Sequence, residues 1–137
     1  MHISKKKNNF SLKKLPIIKS ILNDEMNHEC FDCGSINPEF ISINNAIFLC
    51  ENCSYIHGIF PMEISKIIPN NLYNLNEKEL YYLCIGGNRR LSEFIYLNPE
   101  LGKYSSGILY KRTEMKYYRY NLAIFVNEKL RINKNII

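Results

Sequence analysis

Three absences limit what this 137-residue chain can be. It contains no run near the roughly 18 consecutive apolar residues that a membrane-spanning helix needs. Residues 1–7 lack the apolar segment and the small-residue cleavage site of a secretory signal. We therefore expect a cytoplasmic protein with no transmembrane segment, whose five cysteines are metal ligands or free thiols rather than disulfides.

Tryptophan is absent, and valine and alanine occur only once and twice, whereas isoleucine occurs 20 times and asparagine 18 times. Valine and isoleucine have similar strand and core preferences, so folding does not require this imbalance. It indicates codon bias in a genome rich in A and T, and the asparagines are not functional low complexity. With 46% apolar and 23% charged residues, the chain can build one core and is not disordered throughout.

The net charge of +5 is unevenly distributed along the chain. Residues 1–19 carry six lysines and no acid, residues 20–100 carry four basic and eleven acidic side chains, and residues 101–137 carry eight basic and two acidic ones. An acidic centre is thus flanked by two basic ends. Such asymmetry is typical of proteins that contact phosphate, in nucleic acid or in anionic lipid, although a solvated tail and an ordinary charged helix face would also produce it.

Local patterns predict short strands and several helices. Asn76, with Glu79 three residues later, forms a capping-box variant at the start of one helix, which Gly86 and Gly87 end. The other predicted elements are a helix at 15–22 with Pro16 in its first turn, strands at 39–43 and 46–49 around an Asn44–Asn45 turn, a strand at 64–68 stopped by Pro69, a helix at 89–96 and a final helical element at 106–130.

Two C-x-x-C pairs, Cys30–Cys33 and Cys50–Cys53, are separated by 16 residues. Each pair can present two thiolates to one zinc ion, and the strand-turn-strand between them brings the pairs together. We expect one structural Zn²⁺, because four thiolates leave no open position for catalysis. Two pairs at this spacing fit a redox motif poorly. The fifth cysteine, Cys84, is interpreted as buried apolar filler on a helix face.

The residues around these cysteines resemble the ArfGAP domain, the zinc-finger module that activates GTP hydrolysis by Arf-family GTPases. The resemblance covers roughly residues 20–125 and rests on Asn27, Cys33-Gly34, Asn37-Pro38, Cys53-Ser54-Tyr55-Ile56-His57 and Gly86-Gly87-Asn88. It implies an α+β fold in which a zinc finger on a small three-stranded sheet is surrounded by helices, including a long C-terminal one. We divide the chain into a basic N-terminal arm (1–15), the zinc-finger domain (16–130) and a C-terminal tail (131–137).

The chain departs from the family pattern where the resemblance places catalysis. The family has an arginine finger after the histidine of this motif, but here Gly58 follows His57. A second family arginine falls at Ile68, and the family's Asp-x-Trp has no counterpart. An arginine finger contributes on the order of 10³–10⁵ in GTPase rate, and glycine offers no substitute. We expect His57 to be a packed, hydrogen-bonded residue, and we predict a protein that is not an enzyme and has no catalytic residues.

Because no catalytic residues are predicted, these patterns favour a binding function. We predict that the module docks on RNA or the ribosome and regulates translation, because cations alternate with aromatic residues near the C-terminus and an arm of lysines stands at the other end. The predicted contacts are Lys5, Lys6, Lys7, Lys13, Lys14, Arg89, Arg90, Lys111, Arg112, Lys116 and Arg119. The alternative is a GTPase-activating or Arf-binding protein of membrane traffic. GATA-type DNA binding is a third, weaker hypothesis, because Glu51, Asn52 and Ser54 replace the basic residues it would want.

Overall fold

The computed structural model describes residues 12–135, without the side chain of Asn135. The predicted contacts Lys5, Lys6 and Lys7 lie outside the described residues. The strands are β1 (Phe40–Ser42), β2 (Ile47–Leu49) and β3 (Ile67–Pro69), and the helices are α1 (Lys14–Asn23), α2 (Glu51–Gly58), α3 (Glu77–Ile85), α4 (Gly87–Leu97), α5 (Ser106–Leu109) and α6 (Thr113–Asn135). Single 3₁₀ turns occur at Glu25–His28, Leu72–Asn74 and Pro99–Lys103. The architecture is the α+β arrangement expected from the sequence.

The sheet has the order β2-β1-β3, and both pairings are antiparallel. Ile41 in the central strand is opposite Phe48 on one side and Ile68 on the other. All three residues of β2 are buried, because α4 and the first 3₁₀ turn pack against this strand. Helices therefore cover an edge of the sheet that would otherwise expose apolar residues.

Two predicted element boundaries are wrong. The third strand was predicted at 64–68 with Pro69 as its stop, but β3 contains Pro69 as its last residue, opposite Phe40. Proline can occupy this position because β3 is an edge strand in which one N–H is not needed. The final element is two helices rather than one, with a turn at 110–112 in between. The second of these helices, α6, continues beyond residue 130 into the segment interpreted as a tail.

Two predictions on α3 have opposite outcomes. The capping box is confirmed: the Asn76 side chain accepts from the Glu79 amide at 2.8 Å, and the Glu79 carboxylate accepts from the Asn76 amide at 3.0 Å. The prediction that Cys84 is buried is wrong, since its side chain is exposed. Leu80 and Leu83 form the buried face of this helix, and Cys84 lies beside that face, 3.8 Å from the hydroxyl of Ser20 on α1.

The Gly86-Gly87-Asn88 segment fastens α4 to the zinc-finger half of the domain. A Cβ on Gly86 would lie 2.5 Å from the Ala46 Cβ, so only glycine allows this approach, and Gly87 has a φ of +86°. The buried Asn88 side chain accepts from the Phe48 amide at 2.9 Å. It also donates to the carbonyls of residues 26 and 29 at 2.7 and 2.8 Å. One side chain thereby connects α4, β2 and the first 3₁₀ turn.

Among residues 12–135, no helix combines the length and the apolar character needed to cross a membrane.

Candidate functional site

The four cysteines of the two C-x-x-C pairs converge on one point. The sulfurs of Cys30, Cys33, Cys50 and Cys53 all lie within 4.8 Å of one another. Those of Cys33 and Cys50 are 3.6 Å apart, close to the roughly 3.8 Å that a tetrahedral site with 2.3 Å zinc–sulfur bonds requires. Four convergent thiols without a carboxylate or histidine in the set fit a closed, structural zinc ion. The predicted cofactor, one zinc ion, is therefore confirmed, and the four cysteines are positioned to bind it.

The local environment separates three of these thiols into two kinds. Burial is the main factor that raises the pKa of Cys30 and of Cys53. Cys33 is exposed, and the Ser35 side chain, 3.2 Å from its sulfur, is the main factor that lowers the pKa of Cys33 to about 6. Ionising the buried pair is costly without a cation, so a bound zinc ion supplies the charge that makes the thiolate form favourable.

A buried polar network begins inside the first C-x-x-C pair. The Asp32 carboxylate accepts from the Tyr110 hydroxyl at 2.5 Å and lies 2.8 Å from His57 Nε2. The other ring nitrogen of His57 lies 2.7 Å from the Ser65 hydroxyl. His57 is fully buried and both of its nitrogens are partnered, as predicted. These contacts fix the zinc loop against α2 and the turn before α6.

The network continues through the sheet to α6. The Ser65 and Ser42 hydroxyls are 2.7 Å apart, and the Asn45 amide donates to the Ser42 hydroxyl at 2.8 Å. Arg119 donates to the side-chain oxygen of Asn45 at 3.0 Å and to the backbone carbonyl of Tyr110 at 3.2 Å. Asn45 is fully buried, so it is a structural member of this network as well as a turn residue.

The end of α2 presents a different surface. Gly58 is the last residue of the helix and is exposed, and no atom lies within 4 Å of a Cβ built on it. Around it the side chains of Tyr55, Ile59 and Met62 are exposed by 66%, 85% and 64%. We call these three residues and Gly58 the α2 face. It is an apolar surface with room for a larger side chain at its centre.

No arginine elsewhere in the chain substitutes for the side chain that Gly58 lacks. All five arginines of the sequence fall within the described residues, and each makes contacts elsewhere: Arg89 with Asp24, Arg90 with the Phe125 ring, Arg112 with the Tyr104 ring, Arg119 with Asn45 and Arg131 with Glu128. The cation that contacts the segment after Gly58 is Lys111, whose ammonium lies 5.6 Å from the centre of the Phe60 ring.

The structure disperses most of the predicted nucleic-acid contacts. Arg89 forms a bidentate pair with Asp24, with N–O distances of 2.9 and 3.0 Å. Lys14 donates to the Leu75 carbonyl at 3.0 Å, and Arg112 lies 3.7 Å from Glu114. Lys13 lies just before α1, and Arg90 donates to a carbonyl at the end of α3 and stacks on Phe125. Of the predicted contacts within residues 12–135, Lys111, Lys116 and Arg119 lie together around one cavity.

Comparison with known proteins shows the family to which the chain belongs. The ArfGap family model, whose description names GTPase activation of Arf, matches residues 16–130. The chain belongs to the ArfGap family. Among curated ArfGap relatives, ADP-ribosylation factor GTPase-activating protein 3 from Pongo abelii is 34% identical over 98 residues, which cover 67% of this chain and 19% of the relative. Sporulation protein SPS18 from Saccharomyces cerevisiae is 31% identical over 114 residues, which cover 80% of this chain and 37% of that protein.

Solved ArfGap structures confirm the fold. A Cryptosporidium parvum structure, titled as a GTPase activating protein for ADP ribosylation factor, has a TM-score of 0.63 at 24% identity and covers 85% of this chain and 90% of its own. The ArfGap domain of HIV-1 Rev binding protein has a TM-score of 0.55 at 20% identity, covering 91% of this chain and 88% of that one. The chain spans well under half the length of the two curated relatives described above.

Sequence reasoning missed the polar network around the zinc finger. Nothing in the sequence pattern assigns a role to Asp32, but its carboxylate is almost completely buried against His57 and Tyr110. Tyr110 is 78 positions away along the chain, so no spacing rule could pair the two residues. The one local signal is that an acidic residue lies between two zinc ligands in the sequence.

Proposed function

We propose that this domain binds an Arf-family GTPase through the α2 face and does not accelerate GTP hydrolysis. Family membership supports the choice of partner. The single observation that carries the lack of activation is Gly58, which stands at the position where the resemblance places the arginine finger and presents no side chain there.

The α2 face has the composition of a protein interface. Tyr55, Ile59 and Met62 are apolar or aromatic, exposed and close in sequence. Aromatic residues and methionine are enriched at interfaces, where burying them supplies much of the affinity. The face is formed by the C-terminal part of α2 and the residues that follow it, and the zinc ligand before this helix and the buried His57 network anchor the helix in the fold.

Loss of the arginine removes transition-state stabilisation without removing this surface. A guanidinium acts on charge that develops on the transferring phosphoryl group, whereas apolar contacts contribute equally to the ground state and the transition state. A domain that lacks the guanidinium and keeps the apolar contacts binds its GTPase and leaves the rate of GTP hydrolysis unchanged. The engaged side chains of all five arginines argue against a substitute supplied from elsewhere in the chain.

A binding measurement with matched variants tests the proposal. Calorimetry with Arf loaded with a non-hydrolysable GTP analogue should show binding by the zinc-loaded wild type. Ile59→Asp should weaken it at least about tenfold, because a charge is placed in the apolar contact. Leu97→Asp, at a residue 75% exposed on α4, is the control and should bind like the wild type. Absence of wild-type binding, or equal effects of the two variants, would reject the proposal.

The RNA and ribosome hypothesis stays a prediction. The comparisons give it no support, and the structure engages Arg89 and Lys14 in contacts within the chain. Three of its predicted residues remain of interest for a different reason, which concerns the cavity at the start of α6.

A further inference from the structure

A cavity of about 520 Å³ lies between the N-terminal half of α6, the turn after β1 and the segment before β3. Three cations line it: Lys111 just before α6, and Lys116 and Arg119 on that helix. Glu63 is the only acidic residue among the lining side chains. Three positive charges and one negative charge give the cavity wall a net charge of about +2, in a volume typical of small-molecule sites.

The positive charge at the cavity is not neutralised within the fold. Among residues 12–135, no carboxylate lies within ion-pair distance of Lys111, Lys116 or Arg119. Arg119 is partly buried, and its hydrogen bonds go to two neutral oxygens, those of Asn45 and Tyr110. Burial lowers the pKa of Arg119 accordingly. A partly buried guanidinium without a counter-ion is costly, and a bound anion would remove that cost.

The geometry of α6 concentrates these groups. Lys116, Arg119 and Tyr120 occupy positions i, i+3 and i+4 and therefore share one face of the helix. Thr113, the first residue of α6, also lines the cavity, so the positive end of the helix dipole lies beside the cations. Two independent sources of positive potential thus meet in one concave site.

We propose that this cavity binds a phosphomonoester group, presented by a soluble phosphorylated molecule or by a phosphorylated lipid headgroup. A phosphomonoester carries about −1.5 to −2 charges near neutral pH and offers three acceptor oxygens, which match the net charge and the donors of the wall. A nucleic-acid backbone fits less well, because its phosphates extend along a line and Arg89, a predicted contact on α4, is paired with Asp24. The lining of this site shares no residue with the α2 face, and the proposal does not depend on Arf binding.

An NMR titration that follows each backbone amide resonance tests the site directly. The zinc-loaded full chain, labelled with nitrogen-15, is titrated with inositol trisphosphate at low salt. We expect saturable amide shifts concentrated at residues 111–120 and at the turn after β1. Lys116→Gln should weaken binding about tenfold, the loss expected for one charge-assisted hydrogen bond, and Lys111→Gln provides a second variant. Lys129→Gln is the matched control, because Lys129 is exposed on the same helix and outside the cavity.

Two further arms identify the source of the phosphate. Co-sedimentation with phosphatidylcholine vesicles, with and without phosphatidylinositol bisphosphate, tests the headgroup. Inorganic phosphate in the NMR titration tests a free anion. Binding of the vesicles or of inorganic phosphate supports the site if that binding depends on Lys116. The proposal is overturned if no probe causes saturable shifts, or if Lys129→Gln weakens binding as much as Lys116→Gln. It is equally overturned if a single-stranded RNA oligomer is the only probe whose binding depends on Lys116.

Discussion

The zinc finger and the α2 face lie at opposite ends of one short helix and differ in almost every physical respect. At its start, four thiols converge, and the buried Asp32 carboxylate between two of them is partnered. At its end, Gly58 is open and its neighbours are exposed and apolar. Metal-ligating and buried polar residues hold the fold together, whereas the position where the resemblance places chemistry has no functional group. This contrast supports the binding role proposed above.

Metal removal should have the largest effect on the first region. Zinc coordination in small sites contributes on the order of 10 kcal/mol or more, comparable to the whole stability of a domain of this size. Treatment with a strong chelator, or Cys53→Ser, should abolish the cooperative thermal unfolding transition monitored by circular dichroism. Cys84→Ser, at an exposed thiol outside the cluster, should leave the transition unchanged. An intact transition after complete zinc removal would contradict a structural role for the metal.

Breaking the buried network should have the next largest effect. His57→Ala leaves the Asp32 carboxylate buried with only the Tyr110 hydroxyl as partner, and it opens a cavity beside the Phe60 ring. We expect a loss of about 3–5 kcal/mol in the free energy of unfolding, measured by urea denaturation of the zinc-loaded protein. Tyr110→Phe, which removes one hydroxyl, should cost about 1–3 kcal/mol. Equal stabilities of wild type and His57→Ala would show that the network contributes nothing.

Replacing Asn88, which connects α4 to the zinc finger, should have the third largest effect on the free energy of unfolding. Asn88→Ala removes three side-chain hydrogen bonds and leaves the buried Phe48 amide without a partner. Since an unsatisfied buried group costs about 1–3 kcal/mol, we expect a loss of about 2–4 kcal/mol, again by urea denaturation. Asn121→Ala, on the partly exposed face of α6, is a suitable control with little expected change. A loss below that of the control would contradict the role assigned to Asn88.

Substitution on the α2 face should have the smallest effect on stability. An added side chain at Gly58 meets no neighbour, and the residue does not have a positive φ. Gly58→Arg should therefore change the free energy of unfolding by less than about 0.5 kcal/mol, as surface substitutions usually do. A loss comparable to that of Asn88→Ala would mean that Gly58 is required by the fold, and the contrast between the two ends of α2 would disappear.

Local chemistry explains which features the sequence predicted. The zinc ligands follow from cysteine spacing, and the capping box follows from Asn76 and Glu79, because both depend on residues close together in the chain. Contacts across many residues were missed: Tyr110 and Asp32 meet only after the whole domain has folded. Pro69 was predicted to stop the strand because proline is generally excluded from strands. An edge strand such as β3 can contain it, because one N–H there is not needed for pairing.

Single-turnover GTP hydrolysis by Arf, measured with no added protein, with the wild type and with Gly58→Arg, tests the central claim most directly. We predict that saturating wild type leaves the hydrolysis rate unchanged. Gly58→Arg should raise the rate at least about tenfold, because it restores a guanidinium at an open position on an intact interface. Gly58→Gln, which adds a side chain without charge, should behave like the wild type. Clear stimulation by the wild type would contradict the account.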